Sequence, residues 1–299
     1  MSLELINVSK GFGEGNSRTD VLENINLKIN EGEIVAIVGF TGSGKTTLVK
    51  LMAGLLEPDR GKILFKGQPV IGPGKERGVV FQNYSLLPWF TVFQNVMLAV
   101  NEVYPSWTKA QRSDHAKKYI EMVNLSPALN KRPTELSGGM RQRVSVARAL
   151  SMNPEMLLLD EPLSALDAIT RGILQQEIVN IFGNDKTTAL LITNDVDEGI
   201  LMADRIIPLN PGVKATLGPE FKIEIDRPRD KTALNDNENF IKVRNQIIEY
   251  LLDMGGEANP KKSNAYVLPD ISPVMPRSFL RKQMTKAASG NRCHPVQER

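Results

Sequence analysis

Between Val21 and Ile29 the apolar residues Val21, Ile25, Leu27 and Ile29 fall on alternate positions, the period of a strand with one face toward a core; Leu22 interrupts it at the start. The opening MSLELINV alternates in the same way. Ile34–Val38 is instead a short unbroken β-branched run, suited to a strand buried on both faces. TTLVKLMAG then has helical character and stops at Gly54. After the turn at 57–61, KILFKG and Gly78–Phe81 read as two more strands. Residues 91–151 read as mostly helical, which makes them an insertion between two strand-bearing halves. Strand signals return at Met156–Leu159, Thr188–Thr193 and Arg205–Leu209, separated by helical stretches at Ile169–Phe182 and Asp195–Ala203. This alternation predicts an α/β sheet flanked by helices. Further on, FKIEID is a strand candidate, and Asn237–Asp253 has helical spacing with Phe240, Ile241, Ile247, Ile248, Leu251 and Leu252 on its apolar face.

Composition changes this picture mainly at the C-terminal end. Residues 254–299 carry eight Lys or Arg against three Asp or Glu, a net +5 that leaves about −2 on the remainder. The body therefore has no electrostatic footprint for nucleic acid. The terminal stretch is rich in Pro, Gly, Ser and Asn without sustained periodicity, and predicts a basic, disordered tail. Cys293 is the only cysteine, so no internal disulfide is available. The N-terminus lacks the basic start and apolar stretch of a signal peptide, which points to the cytoplasm. The most apolar stretch, 86–100, is too short to span a bilayer and contains Gln94 and Asn95. A membrane role would have to come through a partner.

Chemistry concentrates in three places. In GFTGSGKTT, residues 39–47, Gly39, Gly42 and Gly44 let successive amides face a phosphate, Lys45 reaches the β and γ oxygens, and Thr46 can ligate Mg²⁺. Placement between a buried strand and a helix is what this phosphate loop requires. MLLLDEP, residues 156–162, delivers Asp160 and Glu161 at a strand end: Asp160 to hold Mg²⁺ through water, Glu161 to polarise an attacking water. In LSGGMRQR, residues 136–143, Ser137, Gly138 and Gly139 put a hydroxyl and two unhindered amides at a helix start, another phosphate-binding device.

Taken in order, the phosphate loop, Gln82, LSGGM, LLLDEP and SALD resemble the ATP-binding cassette (ABC) ATPases over about residues 3–210. The resemblance implies an α/β P-loop NTPase core with a mixed sheet, an ABC domain over 1–253 with a helical subdomain at about 83–155, and the tail over 254–299. It implies ATP and Mg²⁺ as cofactors, the nucleotide contacting Phe40, Thr41, Ser43 and Thr47 as well as the loop residues above. Gln82 then contacts Mg²⁺ and water, and Ser137, Gly138 and Gly139 contact ATP on the opposite subunit. Asp167 matches an aspartate that crosses the dimer interface, and is equally placed to cap a helix. Phe12 holds the place of an adenine-stacking aromatic, although as a residue it fits a core position nearly as well. The stretch YSLLPW, residues 84–89, becomes the expected groove for a transmembrane partner. The implied partners are a second ABC ATPase, permease subunits and, indirectly, an extracytoplasmic solute-binding protein, with the chain peripheral on the cytoplasmic membrane face. Within the family, ITNDVDEGILMADRIIPLNPG and VVFQNYSLLPW look most like importers of nitrate, nitrite, bicarbonate and cyanate, close to those of taurine and sulfonates.

One position departs from the pattern. The family usually has histidine where this chain has Asn194, and the two histidines present, His115 and His294, are expected on a solvated helix and in the tail. Asparagine can donate to a phosphate oxygen but cannot carry a proton or positive charge. This predicts slow hydrolysis at the chain's own site and favours a heterodimer with a sister ATPase, a homodimer remaining possible.

Overall fold

In the computed structural model, residues 2–258 are described, apart from 165, 186–187, 228, 230–233 and 235. The basic tail expected from 254 lies outside the described residues from 259 onward.

The chain opens with two long antiparallel strands, β1 (Leu3–Phe12) and β2 (Thr19–Ile29), to which β4 (Arg60–Phe65) and β5 (Gln68–Pro69) add in the order β2-β1-β4-β5. Between them in sequence comes β3 (Ile34–Val38), which belongs to a second sheet. That sheet also contains β6 (Arg77–Val80), β7 (Met156–Asp160), β8 (Thr188–Thr193), β9 (Arg205–Pro208) and β10 (Phe221–Lys222), in the order β10-β9-β3-β8-β7-β6. Strands β9, β3, β8, β7 and β6 run parallel, while β10 is antiparallel to β9, so the sheet is mixed. Every residue of β3, β7 and β8 is buried, as continuous apolar runs in a parallel sheet covered on both faces should be.

Because side chains alternate along a strand, the central sheet feeds two cores. Ile34, Ala36 and Val38 of β3 face the helices of the insertion, together with Leu157 and Leu159 of β7. Val35 and Ile37, with Met156 and Leu158, face the antiparallel sheet and helix α1 (Lys45–Met52).

The insertion is built from α2 (Val92–Val103), α3 (Lys109–Met122) and α4 (Gly138–Leu150), packed on one another. Thr91 with Gln94 and Thr108 with Gln111 form capping boxes that start α2 and α3, and Ser137 Oγ accepts the Met140 N–H at the start of α4. His115 is not solvated as expected. Its Nε2 lies 2.9 Å from the Ser151 carbonyl and its ring meets Tyr104, Trp107 and Tyr119 edge-on, because α3 turns that side toward an aromatic cluster.

Two further helices follow β7 and β8: α5 (Ala168–Asp185) and α6 (Val196–Met202), the latter capped by Asp195, whose carboxylate accepts the Asp197 and Glu198 N–H groups. FKIEID contributes only the two residues of β10. The last helix among the described residues, α7 (Glu238–Ala258), runs five residues past the boundary expected at 253. Phe240 and Ile247 form its buried stripe, but Ile241 and Leu252 are exposed, contrary to expectation. They sit roughly 100° round the helix from Phe240 and so flank the stripe rather than belong to it. Arg244 of α7 donates to Asp197 of α6 at 2.5 Å, and Tyr250 to Asn210 at 2.9 Å. Among the described residues no helix is long and apolar enough to cross a membrane.

Candidate nucleotide site

The phosphate loop leaves the buried end of β3 and enters α1 at Lys45. Gly44 has φ +97° and a Cβ there would lie 2.8 Å from Val21 Cγ1, so only glycine lets the loop turn this tightly against β2. Lys45 curls back over the loop, donating to the carbonyls of Gly39 at 3.0 Å and Phe40 at 2.8 Å. Burial lowers its pKa, against the opposing pull of Glu161, whose Oε1 is 3.6 Å away. Ser43 is buried within the loop, Gly42, Thr41 and Thr46 are exposed, and Thr47 is half-buried. Phe40 is 43% exposed and touches the far end of α7, where a Cβ on Gly255 would come 3.1 Å from its ring.

Strand β7 brings the two carboxylates to the same place. Thr46 donates to Asp160 Oδ1 at 3.2 Å, and Asp160 is only 2% exposed. Its pKa is raised chiefly by burial, which a divalent cation would offset. Thr46 and Asp160 offer two hard oxygens, the donor set Mg²⁺ prefers when phosphates and water supply the rest. Among the described residues no group of three or more His, Cys, Asp or Glu could hold a metal on its own.

Glu161 has φ +47°, which turns its side chain away from the strand line. Gln82, just beyond β6, donates to its Oε2 at 3.1 Å, and Asn194, just beyond β8, donates to its Oε1 at 2.9 Å. Parallel strands β6, β7 and β8 thus deliver Gln82, Glu161 and Asn194 at neighbouring C-terminal ends. Sequence reasoning missed Ser164, which accepts a bond from Gln82 at 3.3 Å and donates to the Glu161 carbonyl at 3.1 Å. It is the first residue of SALD, a motif in which only Asp167 drew attention.

The remaining predicted residues lie elsewhere. Ser137 is exposed, and Gly139 is buried beneath Thr170 of α5. Among the described residues no hydrogen bond joins Ser137, Gly138 or Gly139 to the phosphate loop. Asp167 Oδ1 accepts the Thr170 N–H at 3.0 Å, the helix-cap reading of this residue, and that bond holds its carboxyl below the usual range. Phe12 is 44% exposed at the end of β1, which removes the core alternative. In YSLLPW, Trp89 is 63% exposed while Leu86 and Leu87 are half-buried, and the buried Asn95 of α2 both donates to Leu87 and accepts from it.

Missed as well was Arg148 of α4, which donates to the carbonyls of Ser85 at 2.7 Å and Tyr84 at 3.0 Å. Both residues have positive φ, 47° and 62°, and Arg141 stacks over the Tyr84 ring. The segment after Gln82 is thereby tied to the helix that begins with the LSGGM residues.

A phosphate loop on a parallel sheet, a threonine–aspartate pair and a carboxylate at the next strand end define a P-loop ATPase. Residues 22–164 match the pattern of the ABC transporter family. The chain is 42% identical over 252 residues to the nitrate transport protein NasD of Klebsiella oxytoca, covering 84% of this chain and 96% of that one. It is 41% identical over 249 residues to the bicarbonate transport ATP-binding protein CmpD of Synechocystis, covering 83% and 88%. Its fold is similar to the dimeric ATP-binding cassette MJ0796 bound to ADP and phosphate, with a TM-score of 0.68, 31% identity, and 75% and 100% of the two chains covered. The chain belongs to the ATP-binding subunits of ABC transporters, proteins that hydrolyse ATP to drive transport.

Proposed function

We propose that this chain powers an importer of a small inorganic anion, nitrate or nitrite first, with bicarbonate, cyanate and taurine or sulfonates as the alternatives. The names of the similar NasD and CmpD support the substrate class. The carrying observation is the position of Glu161, oriented on both oxygens by Gln82 and Asn194 and 3.6 Å from Lys45. A carboxylate so held can accept a proton from water attacking the γ-phosphate, while Lys45 and the loop amides bind the phosphates. Mg²⁺ on Thr46 and Asp160 would supply charge neutralisation there.

Ser137, Gly138 and Gly139 serve the nucleotide of a second ATPase subunit, as the dimeric state of the similar MJ0796 supports. Asn194 favours a heterodimer, because a sister chain can supply the proton-carrying group that asparagine lacks. It equally supports a second reading, in which this chain is the catalytically weak ATP-binding member of the pair. Permease subunits hold the assembly at the cytoplasmic face of the membrane, and a solute-binding protein delivers the anion from outside.

Vesicles reconstituted with permease, binding protein, the second ATPase subunit and this chain should take up labelled nitrate only with ATP, and Glu161→Gln should abolish uptake while ATP still binds. Absence of ATP-driven uptake for every anion named here would overturn the transport reading. Uptake that survives Glu161→Gln would instead place the working site on the partner ATPase.

A further inference from the structure

Phe12 is the last residue of β1, and the chain turns at once through 13–18 into β2. Pairing is irregular here: the β1–β2 register shifts between Lys10 and Gly11 before Phe12 comes opposite Thr19. An exposed aromatic at a slipped strand end has little packing of its own to fix its direction.

Asp59 supplies that constraint from outside the hairpin. It sits in the turn before β4, and its N–H donates to the Ser9 carbonyl at 2.9 Å. Its carboxylate accepts three bonds: Lys10 Nζ at 2.7 Å, the Gly11 N–H at 2.9 Å and Arg18 Nη2 at 2.7 Å. Two of these donors precede Phe12 and the third lies after the turn that follows it, so one carboxylate pins the chain on both sides of the ring. Arg18 also donates from Nε to Asp20 at 2.9 Å, tying the turn to β2. Lys10 Nζ, fixed by Asp59, lies over the Phe12 ring 5.8 Å from its centroid. The Lys10 ammonium and the Gly11 N–H hold the Asp59 carboxyl well below the usual range, so it is charged at neutral pH.

We propose that Asp59 is a positioning residue for nucleotide binding, acting on the base and not on the phosphates by setting the direction of Phe12. The proposal rests on the reading of Phe12 as the adenine platform. The Lys10 and Asp59 side chains are only 16% and 27% exposed, so the cluster also contributes to folding, and a ligand without a base is what separates the two roles. Base stacking on an aromatic adds to nucleotide affinity, so a misdirected ring costs affinity several-fold without touching the phosphate loop.

The test uses the full chain with Asp59→Ala, Asp59→Asn, Phe12→Ala and the Phe12→Ala/Asp59→Ala double variant. Calorimetry with Mg²⁺ compares ATP with inorganic tripolyphosphate, which has no base, alongside steady-state kcat and KM. Phe12→Ala should weaken ATP on the order of tenfold. Asp59→Ala should weaken ATP about three- to tenfold, leave tripolyphosphate and kcat within about twofold, and add nothing further to Phe12→Ala. Asp59→Asn, which keeps the shape but replaces one accepting oxygen with a donating amide nitrogen, should fall between Asp59→Ala and the parent chain and guards against misfolding.

Equal weakening of ATP and tripolyphosphate by both Asp59 variants would make the residue merely structural and overturn the proposal. So would unchanged ATP binding in the Asp59 variants when Phe12→Ala is weak, a result that leaves the Phe12 reading intact. Unchanged ATP binding in Phe12→Ala would sink the platform reading itself, and the proposal with it.

Discussion

Asn194 donates from Nδ2 to Oε1 of Glu161 across 2.9 Å, and this single bond couples the end of β8 to the carboxylate at the end of β7. Neighbouring bonds fix the asparagine's backbone: the Thr193 hydroxyl donates to Glu198 at 2.7 Å and accepts the Asp195 N–H at 3.0 Å. The amide is therefore well placed, and its shortfall is chemical. It can orient Glu161 but cannot accept a proton from it or present a positive charge.

Replacing Asn194 with histidine should raise turnover at this chain's own site on the order of a hundredfold or more, the scale at which an added acid–base partner acts. ATP affinity should change little, because the phosphate loop is untouched. Steady-state ATPase assays of the reconstituted transporter check this; an unchanged kcat would mean that Asn194 is not what limits the site.

Gly139 should tolerate no side chain. A Cβ there would lie 2.3 Å from Thr170 Cγ2, so Gly139→Ala should destabilise the fold by about 1–3 kcal/mol. Adding Thr170→Ser removes that methyl, keeps the hydroxyl, and should restore most of the loss in a denaturant melt. ATPase activity should stay low in the rescued double variant if the glycine also faces the partner's nucleotide.

Glu198 should make stability depend on pH. It is 5% exposed, and burial pushes its pKa from 4.5 up to about 7 against the pull of the Thr193 hydrogen bond. Between those values the folded chain holds a proton that the unfolded chain has released, so stability contributed by Glu198 is present below 4.5 and lost as pH rises through about 7. The difference between the parent chain and Glu198→Gln in denaturant midpoints, measured from pH 4.5 to 8, should shrink or reverse along that window. A flat difference would show that the carboxyl titrates alike in both states.

Arg148→Met should loosen the segment after Gln82. It leaves the Tyr84 and Ser85 carbonyls without their donor while both residues remain in a left-handed conformation costing about 1 kcal/mol each. Hydrogen exchange of residues 82–86 should speed up several-fold. Stimulation of the ATPase by the permease should drop more than the basal rate.

The parts of the site readable in the sequence are those built from contiguous residues. GFTGSGKTT between a β-branched run and a helix states its own strand–loop–helix context, and MLLLD announces a buried strand with a terminal acid. What escaped was long-range pairing. Asp59 reads locally as a turn residue and Arg148 as one cation in a helix, since their partners lie 41 to 64 positions away. Arg148 did leave a trace, standing between Ala147 and Ala149 on a largely buried helix where an unpaired cation would be costly. His115 escaped for a different reason: its aromatic neighbours are local but come partly from the turn before α3, which helical periodicity does not describe. Composition places the helix boundary at 253, since Gly255 and Gly256 are poor helix formers, yet the helix continues through both to Ala258.

The order of the central sheet also has a consequence for how the protein is made. Strand β3, which carries the phosphate loop, is the first of its sheet to be translated, yet it pairs only with β8 and β9, with Ile34 opposite Ala189. About 155 residues must emerge before its first partner exists, on the order of 10–30 s at ordinary elongation rates. Throughout that interval a wholly apolar five-residue strand has both edges open. The strand from which the ATP site will be assembled is thus the one in its sheet that waits longest for a partner.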